Sequence, residues 1–139
     1  MDVFLGIDTS CYTTSLCLVD SQYGVVADER QVLSVRAGGR GLSQSEMVYQ
    51  HVRNLPALTE NLAPYLAGNT IRAVAVTDKP RRRADSYMPA FLSGLGCARA
   101  LAAVLGVPLY RISHQENHLF AVLRTAGHID GTAFRACLL

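Results

Sequence analysis

Two histidines stand four residues apart in the run His114-Gln115-Glu116-Asn117-His118. On a helix, positions i and i+4 lie one turn apart on the same face, so both imidazoles can reach one point outside the helix. Two nitrogen ligands of a divalent metal need this spacing. Two ligands do not complete a site, and structural or surface histidines can share the spacing. Glu116 is two residues from each histidine and projects from the other side of the helix. In the HExxH arrangement of zinc proteases, by contrast, the glutamate follows the first histidine and acts on the metal-bound water. A peptidase reading is therefore left without a general base.

Other polar clusters carry weaker signals. Asp8-Thr9-Ser10 ends an apolar run, and a carboxylate with hydroxyls in such a turn can hold phosphate oxygens, directly or through magnesium and water. An ordinary polar turn has the same composition. Arg81-Arg82-Arg83 could bind the phosphates of tRNA or a nucleotide, or form a solvated loop. Gly94-Leu95-Gly96 falls inside a helical pattern and lacks the Lys-Ser/Thr ending of a phosphate loop, so it reads as a packing feature. His51 lies among apolar neighbours as a hydrogen-bonded core or boundary residue, and His128 carries no signal. The four cysteines, Cys11, Cys17, Cys97 and Cys137, form no CxxC pair, which argues against a cysteine zinc site. Three of them lie in apolar runs and read as small core residues in a reducing compartment.

The elements that position these residues follow from periodicity. Val3–Asp8, Thr14–Val19 and Gly24–Val35 read as three strands joined by polar turns, an antiparallel meander. Arg36–Leu42 is a glycine-rich loop. Ser43-Gln44-Ser45-Glu46 matches a capping box and opens a helix with Met47, Val48, His51, Leu55 and Leu58 at helical spacing. Pro56 is expected to kink or divide that helix, which closes at Gly68. Ile71–Thr77 is a nearly continuous apolar strand of the kind buried on both faces, and Asp78–Ser86 is a polar, basic loop. A helix rich in small residues runs from Pro89 to Gly106. Leu109–Ile112 is a short strand, after which Ser113 caps the histidine helix; that helix ends near Gly127. Thr132–Leu139 is apolar and strand-like to the last residue, the pattern of a chain that continues into a larger protein. Strands followed by alternating helix and strand predict an α/β domain with a mixed sheet.

At 139 residues, with 50% hydrophobic and 17% charged residues, the chain fits one globular domain able to bury a core. A formal net charge of +2 is too small for nucleic-acid binding by bulk electrostatics. No signal peptide or membrane-spanning run is apparent, and Ala98–Leu109 is interrupted by Arg99, Gly106 and Pro108. A cytoplasmic location without membrane contact is expected.

Gly6-Ile7-Asp8-Thr9-Ser10-Cys11 resembles the opening strand and turn of the Kae1/TsaD proteins, long labelled O-sialoglycoprotein endopeptidases or glycoproteases. His51-Val52-Arg53-Asn54-Leu55-Pro56 is similar to their first-helix motif, and Ala73-Val74-Ala75-Val76-Thr77 to their central strand. His114-Gln115-Glu116-Asn117-His118 resembles their HxExH metal motif, the most specific of the matches. The similarity runs in the same order over nearly the whole chain. It implies an actin/Hsp70/sugar-kinase (ASKHA) fold whose two lobes are each built on an RNase H-like core, with residues 1–139 as the N-terminal lobe. It also implies transfer of a threonylcarbamoyl group from its adenylate to the adenosine beside the tRNA anticodon. On that resemblance, His114 and His118 would hold one divalent metal, iron or zinc, with an aspartate from a second lobe. That lobe and the substrate loop would lie beyond Leu139. The implied partners are tRNA, an acyl-adenylate or ATP, and proteins of the same modification machinery. Two departures point to a divergent paralogue. Tyr12-Thr13 replaces the family's usual Asp-Asp, and Asp78-Lys79-Pro80-Arg81-Arg82-Arg83 replaces a glycine-rich GPG segment. A non-catalytic scaffold and the older metallopeptidase label are the rival readings. The histidine pair argues against the first, and Glu116 facing away argues against the second.

Overall fold

The computed structural model describes residues 1–127; the expected last strand (Thr132–Leu139) and His128 lie outside them. Five strands and three helices follow in the order β1 (Asp2–Asp8), β2 (Thr13–Asp20), β3 (Val25–Val32), α1 (Gln44–Leu66), β4 (Thr70–Lys79), α2 (Ala90–Leu105), β5 (Leu109–Ser113) and α3 (His114–Thr125). They form one sheet ordered β3-β2-β1-β4-β5. The first three strands are antiparallel neighbours, whereas β1–β4 and β4–β5 are parallel. The meander and the later crossovers both match the sequence reading.

Register decides which face is dry. Leu5 pairs with Leu18 and Val74, and Ile7 with Leu16 and Val76. These side chains therefore line one face, where Leu55, Leu58 and Leu62 of α1 and Ala98 and Ala102 of α2 cover them. Each fully buried leucine, isoleucine or valine stabilises the fold by roughly 1.5–3 kcal/mol, so this layer dominates the energetics. The small residues of α2 let its backbone approach the sheet, as expected from their spacing. On the other face, α3 leaves a groove of about 550 Å³ between itself and Gly6, Cys17 and Ala75.

Of the two outcomes expected at Pro56, division does not occur. Helix α1 is undivided, with both Pro56 and Pro64 inside it. Each proline frees the carbonyl four residues earlier, and those residues, Val52 and Glu60, are exposed, where water can take over the lost hydrogen bond. The helix opens as expected, with the Ser43 hydroxyl accepting from the Glu46 N–H at 3.2 Å. The Glu46 carboxylate is turned to Gln50 Nε2 instead, at 3.1 Å. Among the described residues, no helix is long and apolar enough to cross a membrane.

Candidate metal centre

Strands β1, β4 and β5 run parallel, so their C-terminal ends share one edge of the sheet, the edge where open α/β sheets keep their sites. Asp8 ends β1 there, and β5 leads directly into α3. Ser113 stops the strand and caps the helix: its hydroxyl accepts from the Glu116 N–H at 3.2 Å, and the Glu116 carboxylate accepts from the Ser113 N–H at 2.8 Å. This is a complete capping box. Sequence reasoning found the Ser113 cap but not its second half, although Ser-x-x-Glu at 113–116 carries that signal.

The cap fixes where α3 starts, and the i, i+4 spacing along it brings the histidines together. His114 Nε2 and His118 Nε2 lie 2.8 Å apart, with ring centroids 4.2 Å apart and planes at 78°. Phe91 and His114 stand edge to face, with ring centroids 6.4 Å apart. Burial and the neighbouring His118 push the His114 pKa down, against a smaller opposing pull from Asp8. A lowered pKa favours the neutral imidazole that a metal requires. Tetrahedral ligands at about 2.0–2.1 Å from zinc stand roughly 3.3 Å from one another, so the two nitrogens already converge to within about half an ångström of a ligand pair. The donor set fits a borderline metal such as zinc or iron. It is half a set: among the described residues no group of three or more His, Cys, Asp or Glu side chains could hold a metal.

Asn117, which sequence reasoning passed over, ties this helix to β1. Its Nδ2 donates to Asp8 Oδ2 at 2.8 Å, while Asp8 Oδ1 accepts from the Ser10 N–H at 2.7 Å. Asp8 and the half-buried Ser10 therefore stand at the site edge beside the histidine helix. Thr9 does not. It is fully buried, and its hydroxyl donates to the Ala90 carbonyl (2.9 Å) and accepts from the Gly94 N–H (3.0 Å). With both roles taken, Thr9 joins β1 to the first turn of α2 and has nothing left for a phosphate.

The same turn is held on its other side by His51, which is fully buried. A carbonyl can only accept, so the 2.9 Å contact between His51 Nε2 and the Cys11 oxygen puts the proton on Nε2. Nδ1 must then accept from the Thr14 hydroxyl at 2.8 Å, and that oxygen accepts from Asn54 Nδ2 at 3.1 Å. His51 is thus the hydrogen-bonded core histidine expected, and Asn54 of the same helical motif is its relay partner. Burial pushes the His51 pKa down.

Glu116 faces away from the histidines, as its spacing required. The Ser113 N–H and then nearby Arg82 hold its pKa below the usual carboxylate range, and its other oxygen lies 2.7 Å from Arg82. Among the three arginines, Arg82 is engaged by Glu116 and Arg83 by Asp85. Cys11 is exposed; Cys97 is half-buried against the core, whereas Cys17 is half-buried on the opposite face, lining the groove beside α3, and burial raises both thiol pKa values; Cys137 lies outside the described residues.

No family model matches the chain. Over 122 residues, 86% of the chain, it is 28% identical to a Campylobacter curvus protein named tRNA N6-adenosine threonylcarbamoyltransferase. It is 26% identical to the Campylobacter fetus protein of the same name over an equal span. This chain is a divergent relative of the Kae1/TsaD proteins. The chain spans about a third of the length of those curated proteins, 34% in each case. In fold, the chain is similar to YeaZ from Pseudomonas aeruginosa (TM-score 0.63, 19% identity, 91% of this chain and 51% of that one). It is also similar to Thermus thermophilus RuvC in complex with a Holliday junction substrate (TM-score 0.52, 18% identity, 96% and 84%). The mixed sheet with flanking helices is RNase H-like, as the family resemblance implied.

Proposed function

We propose that this chain is the metal-binding N-terminal lobe of a threonylcarbamoyltransferase-type acyltransferase. The substrates would be threonylcarbamoyl-AMP and the adenosine next to the tRNA anticodon. The observation that carries this reading is the convergence of His114 and His118 Nε2 to 2.8 Å at the C-terminal edge of the sheet. Curated relatives bearing the transferase name support the choice of chemistry.

A bound iron or zinc would act as a Lewis acid and template for the acyl donor's carbonyl. The chain's own part is positioning. His114 and His118 would supply two of the ligands, presented by a helix whose start the Ser113–Glu116 box fixes. Asn117 holds the helix to Asp8, and Asp8 with Ser10 offers polar groups beside the ligands. The remaining ligands and the nucleotide grip would come from a second lobe. Peptide hydrolysis finds no support, because Glu116 is committed to the cap and to Arg82.

The test is titration of the chain with cobalt(II) as a spectroscopic stand-in for zinc, read by its visible absorption, beside a transfer assay. One ion per chain is expected, lost in His114→Ala and in His118→Ala. Residues 1–139 alone should give no transfer from threonylcarbamoyl-AMP to tRNA. Binding that survives both substitutions would remove the metal assignment, and transfer by this segment alone would overturn the division of labour.

A scaffold paralogue is the second reading, favoured by the loop that replaces the family's glycine-rich segment. The Pro80 carbonyl accepts from the Gln115 N–H at 3.3 Å, and Arg82 pairs with Glu116. This bulky loop is therefore built against the histidine helix.

A further inference from the structure

That same loop forms an ordered, cationic knuckle. Its own backbone turns are closed by Arg83 N–H to the Arg81 carbonyl (2.8 Å) and Ser86 N–H to the Arg83 carbonyl (3.1 Å), and the Ser86 hydroxyl accepts from the Arg81 N–H (3.1 Å). With the two contacts to α3, the side chains are presented from a fixed backbone. Five cations meet here, Lys79, Arg81, Arg82, Arg83 and Arg111, against three carboxylates. The carboxylates take Arg82, Arg83 and Arg111. Among the described residues, Lys79 and Arg81 have no ion-pair partner. The local excess of positive charge equals the formal net charge of the whole chain, +2. Lys79 and Arg82 also border a depression of about 360 Å³ beside the first turn of α3.

Tyr87 follows in the same connection between β4 and α2 and is 64% exposed. Unpaired cations on an ordered backbone would suit any polyanion. An exposed aromatic in the same connection is what a single-stranded nucleic acid adds to that requirement, because its bases stack while its phosphates pair. An acidic peptide has no need of the aromatic, and a lipid surface asks in addition for an apolar face to bury, which the run Lys79–Tyr87 lacks.

We propose that the Lys79–Arg83 knuckle, together with Tyr87, is a contact surface for single-stranded RNA. Lys79 and Arg81 would each take a backbone phosphate, and Tyr87 would stack one base. The choice of RNA over other nucleic acids rests on the transferase reading above; the contact itself does not. Phosphate contacts orient a strand without reading its sequence. The knuckle would therefore set where an RNA loop lies along the sheet edge and leave base selection to other groups.

The experiment is fluorescence anisotropy of a labelled anticodon stem-loop RNA with the full chain, in chelator, across a salt series. Chelator removes the metal question, so a failed metal assignment leaves this result standing. Each lost phosphate contact flattens the dependence of log affinity on log salt by about 0.7 for a single strand. Lys79→Gln/Arg81→Gln should therefore lower the slope by about 1.4 and weaken binding on the order of tenfold. Tyr87→Ala should cost on the order of tenfold with the slope unchanged. Arg53→Gln/Arg99→Gln removes equal charge from exposed helical positions and should change neither. Four results would overturn the proposal: no RNA binding, equal losses in the two double variants, a duplex DNA oligonucleotide bound as tightly through the knuckle, or knuckle-dependent binding of polyglutamate or phosphatidylserine vesicles that matches RNA.

Discussion

Two glycines two residues apart on α2 should respond to alanine in opposite directions. A Cβ at Gly96 meets nothing within 4 Å, whereas a Cβ at Gly94 would lie 2.8 Å from Thr9 Oγ1 and 3.3 Å from Thr9 Cγ2. Alanine is the better helix former by about 1 kcal/mol, so Gly96→Ala should stabilise the fold by roughly 0.5–1 kcal/mol. At Gly94 the same gain is opposed. Thr9 is fully buried between β1 and α2 and cannot swing aside as a flexible side chain would. Moving it breaks the bonds to the Ala90 carbonyl and from the Gly94 N–H. Each is worth about 0.5–1.5 kcal/mol, and a buried group left unpaired costs about 1–3 kcal/mol. The balance is a net loss of about 1–3 kcal/mol for Gly94→Ala.

Urea unfolding with an unchanged m-value would read both numbers. A double-mutant cycle with Thr9→Ala sharpens the test, since that change removes both atoms the new methyl would strike. Gly94→Ala should then be tolerated far better in the Thr9→Ala background, with a coupling of about 1 kcal/mol or more. If Gly94→Ala is as stable as Gly96→Ala, or if the cycle is additive to within about 0.5 kcal/mol, then Thr9 is not the strut described above.

Two further outcomes follow from the buried polar groups. His51 is held neutral, so its folded pKa lies below the ordinary value of about 6.5, and the unfolded chain binds more protons between the two values. Its contribution is fully present above about pH 6.5 and is lost as the pH falls toward the folded pKa. Unfolding midpoints of the wild type should therefore fall more steeply than those of His51→Gln between about pH 7 and about pH 5, and parallel curves would refute the relay. At the α3 cap, Ser113→Ala should cost about 1 kcal/mol by thermal melt. Glu116→Gln keeps an acceptor for the Ser113 N–H and loses an ion pair to an arginine that is 80% exposed, so it should change stability by less than about 1 kcal/mol. A larger loss in Glu116→Gln than in Ser113→Ala would mean that the loop, not the cap, orients the helix.

The architecture was legible because its signals are periodic. Alternation in β1 and β2, the apolar run of β4 and the small-residue spacing of α2 each map onto one face of one element. Division at Pro56 did not follow because a local rule has no knowledge of solvent: the helix continues where the freed carbonyl belongs to an exposed residue. The site was legible only in part, for a related reason. Spacing tells which residues share a helix face, so the convergence of His114 and His118 could be read. It cannot tell which polar group the scaffold has already used. Thr9, His51 and Glu116 had the right chemistry for a site, and all three are occupied by partners 37 to 85 positions away or by a cap three positions back.

The histidine pair shows what such commitments do to the remaining groups. His114 Nδ1 is buried and has no hydrogen-bond partner among the described residues. Ligating histidines ordinarily donate their second ring N–H to a carboxylate or carbonyl, which fixes the tautomer in the metal-ready form. Here a proton on Nδ1 would be a buried, unpaired donor. A proton on Nε2 instead donates to His118 at 2.8 Å, leaving only an unpaired acceptor behind. The metal-free pair is therefore favoured in the tautomer that blocks its own ligating lone pair. A metal must displace that Nε2 proton and leave Nδ1–H unsatisfied, at roughly 1–3 kcal/mol. Metal affinity at this pair is lower than its geometry alone suggests, by about 5- to 150-fold on that penalty. Any group that brings an acceptor to His114 Nδ1 would raise it by the same factor.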